Sequence, residues 1–283
     1  MDSTTTNTAM GTSTGMDTNY QHIGLERRDH VAFITLQRPD RLNAINRQMA
    51  QELHDVLDQL AGEFPETRAV IITGAGTGFC SGADVGDMPA RMADGGDRDP
   101  NNPDPGPSIT MRLAPHLREI PQPVIAAVNG VAAGAGLGIA LASDIRIASE
   151  SARFTSVFVK RSLVPDAGVS EILIALAGPG IAAEMSYTGR VYDAPWALSK
   201  GLVNGIVPAD ELLAHAETMA NEIAANPPLA VKAIKGLFNV HHTSLNKVIL
   251  AEHRANDPLR GTADQTEAVQ AFLEKRAPKF TGT

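Results

Sequence analysis

Apolar and polar positions along the chain switch between two periods. Val31–Leu36 (VAFITL) is a short β-rich run that stops at Arg38-Pro39. Residues 69–73 (AVIIT), ended by Gly74, and Val124–Val128 (VIAAV) are continuous apolar runs, which read as strands buried on both faces. Residues 145–148 (IRIA) predict a further strand. Between the first two runs, Met49, Leu53, Val56, Leu57 and Leu60 recur at helical spacing and predict a helix over 46–60. Helices are also predicted over 109–119 and, after a stretch of small residues, within 132–143. Strands alternating with helices predict parallel βαβ units. Beyond about residue 211 the pattern is helical only, over 211–225, 229–240, Leu245–Asn256 and 264–275. The expected organisation is therefore a tail (1–20), an α/β core (21–210) and a C-terminal helical region (211–283).

Two segments break the pattern. Residues 1–20 (MDSTTTNTAMGTSTGMDTNY) have no Lys, Arg or apolar block, so neither a secretory signal nor a transit peptide is expected there, and disorder is. Residues 91–108 are dense in Asp, Pro and Gly, which predicts a mobile loop rather than regular structure.

With 283 residues, a net charge of −8 and a globular composition, the chain is long enough for one large domain and has no basic patch suited to nucleic acid. Its single cysteine, Cys80, allows no internal disulfide, which fits a reducing compartment, and a cytoplasmic location is expected. The most apolar region, 123–142, is broken by Asn129 and several glycines, so no membrane span is expected. No metal-ligand spacing stands out.

Three segments carry candidate chemistry: RPDRLNAIN (38–46), TGAGTGFCSGAD (73–84) and AVNGVAAGAGLG (127–138). A glycine-rich turn between a strand and a helix leaves backbone N–H groups free and lets a ligand approach closely. Two such turns, 81–84 and 134–136, can aim two donors at one oxygen. Each turn alone could be no more than a tight βα connection. A dinucleotide fingerprint is disfavoured, because Gly134, Gly136 and Gly138 are spaced GxGxG and no acidic residue ends a following strand at the required distance.

In that order and spacing, with YTGR (187–190) and GLV (201–203) downstream, the three segments closely resemble the crotonase, or enoyl-CoA hydratase/isomerase, superfamily over nearly the whole chain. The resemblance implies a crotonase-like ββα spiral core with a C-terminal helical trimerisation region, and a homotrimer or dimer of trimers. It implies an acyl-coenzyme A thioester as substrate, with coenzyme A belonging to the substrate and no separate cofactor. The backbone N–H groups of Ala83 and Ala135 would hold the thioester oxygen. Arg41, Leu42, Ala44, Ser81, Gly82 and Asp84 would shape the coenzyme A site, with Phe272 and Lys275 adding contacts from the C-terminal helix.

Hydratases of this family carry two glutamates, and the matched positions here are Gly138 and Phe158. A carboxylate is offered instead at Asp166, in SLVPDAGVS (162–170), as in family members that shift double bonds, including epoxyphenylacetyl-type CoA isomerases. Asp166 also fits a helix N-cap. An isomerase needs only one base that moves a proton between two carbons. The expected activity is enoyl-CoA isomerisation in fatty or aromatic acid degradation. Hydration, hydrolytic chemistry with Asp166 as nucleophile, and non-catalytic acyl-CoA binding are the alternatives.

Overall fold

The computed structural model describes residues 16–17, 19–87, 106–239 and 245–281. Most of the expected tail and of the 91–108 loop, together with Val240, lie outside the described residues.

A seven-stranded sheet organises the molecule. Its strands are β1 (Met16–Asp17), β2 (Ile23–Arg28), β3 (Val31–Leu36), β4 (Ala69–Gly74), β5 (Val124–Val128), β7 (Ile145–Ser149) and β10 (Gly205–Val207). They lie in the order β1-β2-β3-β4-β5-β7-β10. From β3 to β10 the pairs are parallel, as the alternation of strands and helices requires. At the other edge β1, β2 and β3 are antiparallel, so the chain enters as a meander that the βαβ reading did not include. β1 pairs Met16 with Glu26 and Asp17 with Leu25, so regular structure reaches into the segment expected to be disordered. A smaller sheet joins β6 (Val131–Ala133), β8 (Arg153–Thr155) and β9 (Tyr192–Asp193).

The strand alternation sorts side chains into two cores. Ala32, Ile34, Leu36, Val70, Ile72, Val124 and Ala126 face a large cluster. Three helices supply its other side: α1 (Arg47–Gly62), α3 (Ala135–Ala142) and α4 (Val169–Thr188). Val31, Phe33, Ala69, Ile71, Ile125 and Ala127 face the other way, onto Leu212, Ala216, Ala220 and Ala224 of α6 (Leu212–Ala224). The first helix of the C-terminal region therefore completes the sheet core. α1 starts where its sequence predicts, because Asn46 Oδ1 accepts the Met49 N–H (2.8 Å) and caps it. The helix read at 109–119 is shorter, α2 (Leu113–Glu119), preceded by a turn. Ala194–Ser199 forms α5.

By length and composition α4 suffices to cross a membrane, against the sequence expectation. Gly178 takes a non-helical conformation (φ 80°, ψ 163°) before Pro179 and divides it into two short pieces. Its Val169, Ile172, Leu173, Ala182 and Met185 are buried in the fold.

Three more helices follow: α7 (Pro228–Asn239), α8 (Leu245–Asn256) and α9 (Ala263–Leu273). α7 is anchored by Lys235, whose buried ammonium donates to the Leu117 (3.1 Å) and Gln122 (2.8 Å) carbonyls and pairs with Asp144 at 3.0 Å. Asp144 also accepts the Val124 N–H at the start of β5 (2.8 Å). Arg146 donates to the Leu141 (3.3 Å) and Ser143 (2.5 Å) carbonyls at the end of α3 and to the Leu202 carbonyl (2.8 Å). Burial lowers this guanidinium to about 10.

Candidate active site

The first glycine-rich turn leaves β4 and is shaped by two asparagines from other segments. Asn43 donates to the Ala75 (2.9 Å) and Gly78 (2.8 Å) carbonyls, while Asn129 donates to those of Gly76 (3.0 Å) and Gly78 (3.1 Å) and accepts the Gly74 N–H (3.1 Å). A polar loop with few side chains of its own is thus held by side chains of the other two motif segments, which explains why the three motifs occur together.

The turn then runs beside the second one. Cys80 N–H donates to the Val131 carbonyl (2.8 Å), and Ala133 N–H to the Cys80 carbonyl (3.0 Å). On its far side Ile45 N–H donates to Gly82 (2.8 Å), and Asp84 N–H to Ile45 (2.9 Å). A Cβ on Gly82 would lie 2.9 Å from the Ala133 oxygen and 3.6 Å from the Ala135 nitrogen, so this glycine (φ 100°) is what lets the turns touch. Around Ala83 the neighbouring N–H groups of Cys80, Ser81 and Asp84 are all engaged, whereas Ala83 N–H donates to no backbone acceptor among the described residues. Ala135 is the first residue of α3, and its N–H is one of the donors a helix start leaves unpaired. Two free donors on adjoining turns, one of them at the positive end of a helix, form a site for an oxygen that gains negative charge.

Asp166 lies in the turn that enters α4, and this turn packs on α3 one helical turn beyond Ala135. A Cβ on Gly138 would lie 2.7 Å from the Ala167 oxygen and 3.0 Å from the Ala167 Cβ. The space into which a side chain at position 138 would project is filled by the residue after Asp166. At the other matched position the Phe158 ring is buried against the Gly134 turn.

The Asp166 carboxyl makes no hydrogen bond among the described residues and does not cap α4. Gly168 is the cap position and offers no side chain. The cap comes from Glu252 of α8, which accepts the Gly168 N–H (3.0 Å), the Ser170 N–H (3.2 Å) and the Ser170 hydroxyl (2.5 Å). Burial, reinforced by the negative charge of Glu252 and opposed by Arg260, pushes Asp166 up to about 7. Glu252 is itself raised, chiefly by burial.

Of the residues expected around coenzyme A, Arg41 is open to solvent, with Asp40 3.7 Å away. Leu42 is exposed in a left-handed conformation (φ 48°), Ala44 is buried, and Ser81 Oγ donates to the Arg41 carbonyl (3.1 Å). Asp84 pairs with Arg38 at 2.8 Å, which ties the first two motif segments together; against burial, the Gly86 N–H (3.0 Å) and then the Arg38 guanidinium hold its carboxylate below the ordinary range. Phe272 lies elsewhere, under the Arg161 guanidinium at 3.8 Å, and Lys275 ends the same helix in a left-handed conformation (φ 55°). No hydrogen bond or ring contact joins either to 38–44 or 81–84 among the described residues. Cys80 is buried and its thiol is pushed up to about 12, which suits packing rather than attack. His116 is engaged by His54 (2.7 Å) and Asp58 (3.2 Å). Among the described residues no group of His, Cys, Asp and Glu could hold a metal ion. Sequence reasoning missed Arg38, Asn43, Asn129 and Glu252 as builders of the site.

The family model for enoyl-CoA hydratase/isomerase matches residues 26–283. The chain belongs to the enoyl-CoA hydratase/isomerase family. It is 36% identical over 258 residues to 1,2-epoxyphenylacetyl-CoA isomerase of Escherichia coli, covering 89% of this chain and 95% of that protein. It is also 36% identical over 254 residues to a short-chain-enoyl-CoA hydratase of Clostridium acetobutylicum, covering 89% and 94%. Among solved structures, an enoyl-CoA hydratase from Mycobacterium avium subsp. paratuberculosis superposes with a TM-score of 0.81 at 31% identity, covering 93% of this chain and 99% of that one. A carnitinyl-CoA hydratase from Mycobacterium avium does so with a TM-score of 0.78 at 33% identity, covering 94% and 100%. The fold is that of crotonase, and the chain is an enzyme of this family.

Proposed function

We propose that this enzyme is an enoyl-CoA isomerase. The thioester oxygen of a 3-enoyl-CoA accepts the N–H groups of Ala83 and Ala135. The Asp166 carboxylate removes a proton from C2, and the electron pair moves into the thioester carbonyl to give a dienolate whose negative oxygen the two donors stabilise. The protonated Asp166 returns that proton to C4, and the double bond ends between C2 and C3. Atoms and charge balance without a cofactor or metal, and coenzyme A leaves with the product. Each donor is worth roughly 3–4 kcal/mol in such a transition state. A base raised to about 7 is matched to accept and return a proton near neutral pH.

The observation that carries this reading is the pairing of an uncapped, raised Asp166 with the closed space at Gly138. One proton carrier remains where a hydratase uses two carboxylates. The likeness to an epoxyphenylacetyl-CoA isomerase agrees with it. Exposed Arg41 and Leu42, with Ala44, Ser81, Gly82 and Asp84 behind them, are the proposed coenzyme A site. Phe272 and Lys275 join it through the C-terminal helix of a neighbouring subunit.

We also read the molecule as a homotrimer or dimer of trimers in the cytoplasm. Leu237 (68% exposed) and Phe238 (63%) on α7, with Ile174 and Tyr187 on α4, are apolar surface that assembly would cover. The test is a panel of straight-chain, aromatic and alicyclic enoyl-CoAs followed by mass spectrometry and absorbance. Isomerisation changes the absorbance at constant mass, whereas a gain of one water would replace this reading with hydration.

A further inference from the structure

α8 is far from the motif segments in sequence, yet it grips the turn that carries Asp166 at both ends. On the near side Asn256 accepts the Val164 N–H (3.0 Å) and donates to the Val164 carbonyl (3.4 Å). On the far side, one helical turn earlier in α8, Glu252 holds the N–H groups of Gly168 and Ser170. Between these two points the backbone passes through two consecutive left-handed residues, Ala167 (φ 52°) and Gly168 (φ 78°). Such a turn keeps its shape only when its surroundings fix it. Leu245, at the start of the same helix, closes against Gly168, whose Cβ would lie 3.0 Å from Leu245 Cδ1.

We infer that Glu252 is the positioning residue of Asp166: it fixes the turn that presents this carboxyl and keeps a negative charge beside it, so that Asp166 is the first of the two to take up a proton. This inference builds on the reading of Asp166 as the proton carrier. The allocation follows from hydrogen bonding. Glu252 is 4% exposed and accepts three donors, all of which favour its ionised form. It also sits at the start of α4, where the helix dipole favours an anion. Asp166 has no hydrogen-bond donor among the described residues, so burial and the adjacent charge are opposed at Asp166 only by Arg260. The other charged groups acting on the pair are Glu171 in the first turn of α4, which adds repulsion at Glu252, and Arg260 beyond α8, which draws Asp166 toward its ionised form. Toward this turn α2 presents the Ala114 methyl and α3 the bare Gly138. The neighbouring carboxylate thus adds to the base strength that burial gives Asp166.

The test compares wild type, Glu252→Gln and Ser170→Ala. Gln keeps a hydrogen-bond acceptor for α4 but removes the charge. Ser170→Ala keeps the fold and removes one of the donors that hold the charge on Glu252. The readout is the titration of the Asp166 carboxyl, followed by NMR on protein carrying carboxyl-13C aspartate and assigned with Asp166→Asn. It needs no substrate. The pH dependence of trans-3-hexenoyl-CoA isomerisation is measured in parallel. Glu252→Gln should move the Asp166 midpoint to lower pH by on the order of one pH unit, with the acid limb of turnover following it, and Ser170→Ala should move it less in the same direction. A wild-type midpoint in the folded variants would overturn the inference, whatever happens to turnover. Full turnover by Asp166→Asn would instead remove the isomerase reading and leave the titration result standing.

Discussion

At the level of single residues, the site depends on what three side chains lack as much as on what they bring. Gly138 has no side chain and no room for one, Phe158 has no ionisable proton, and Asp166 has, among the described residues, no hydrogen-bond donor to hold its charge. The third has a consequence for stability. Asp166 titrates at about 7 in the folded protein and at ~4 in an unfolded chain. Between these values the folded state holds a proton that the unfolded state has lost. Its contribution to stability is therefore complete below the unfolded value and is lost as pH rises through 7. An ionised Asp166 at pH 8 is destabilising by up to about 4 kcal/mol. Asp166→Asn should leave the melting temperature nearly unchanged at pH 4 and raise it by several degrees at pH 8, as scanning calorimetry would show. Equal shifts at both pH values would contradict the raised carboxyl. Gly138→Glu, in contrast, should not create a hydratase. It drives a Cβ against the Ala167 oxygen and should lower stability by roughly 1–3 kcal/mol without any gain of water across crotonyl-CoA.

Among the elements, legibility followed the period. β3, β4, β5 and β7 and helix α1 were readable because their apolar positions repeat without interruption. β2 (IGLERR) was not, since its second half is polar and lies toward the edge. Most of α4 was hidden by Gly178-Pro179, which reads as a stop although the chain resumes its helix beyond. The glycine-rich turns were legible, but the asparagines that shape them were not, because Asn43 and Asn129 act on backbone far away in sequence. Glu252 and Asn256 left a faint signal: with Leu245 and Ile249 they occupy the buried stripe of α8, where a polar side chain needs a partner. The same reasoning applies to Lys235 on α7. Its burial lowers the ammonium, and its pairing with Asp144 offsets that cost. Lys235→Ala should leave Asp144 under-compensated and lower unfolding free energy by about 3–5 kcal/mol in denaturant titration. A loss below ~1 kcal/mol would mean that α7 is held by other contacts.

For the whole molecule, the C-terminal region is more than an appendage. α6 completes the sheet core, α8 supports the Asp166 turn, and α7 turns Leu229, Ile234, Leu237 and Phe238 toward solvent in the single chain. Light scattering after gel filtration should give a trimer or hexamer mass, and charged residues at Leu237 and Phe238 should shift it toward the monomer. The most direct test of the account is turnover and binding measured on one preparation of Asp166→Asn. With trans-3-hexenoyl-CoA, turnover should fall on the order of a hundredfold or more, because the proton carrier is gone. Acyl-CoA affinity should stay within about twofold, because the thioester is held by the backbone donors at Ala83 and Ala135. Undiminished turnover with intact binding would contradict the account.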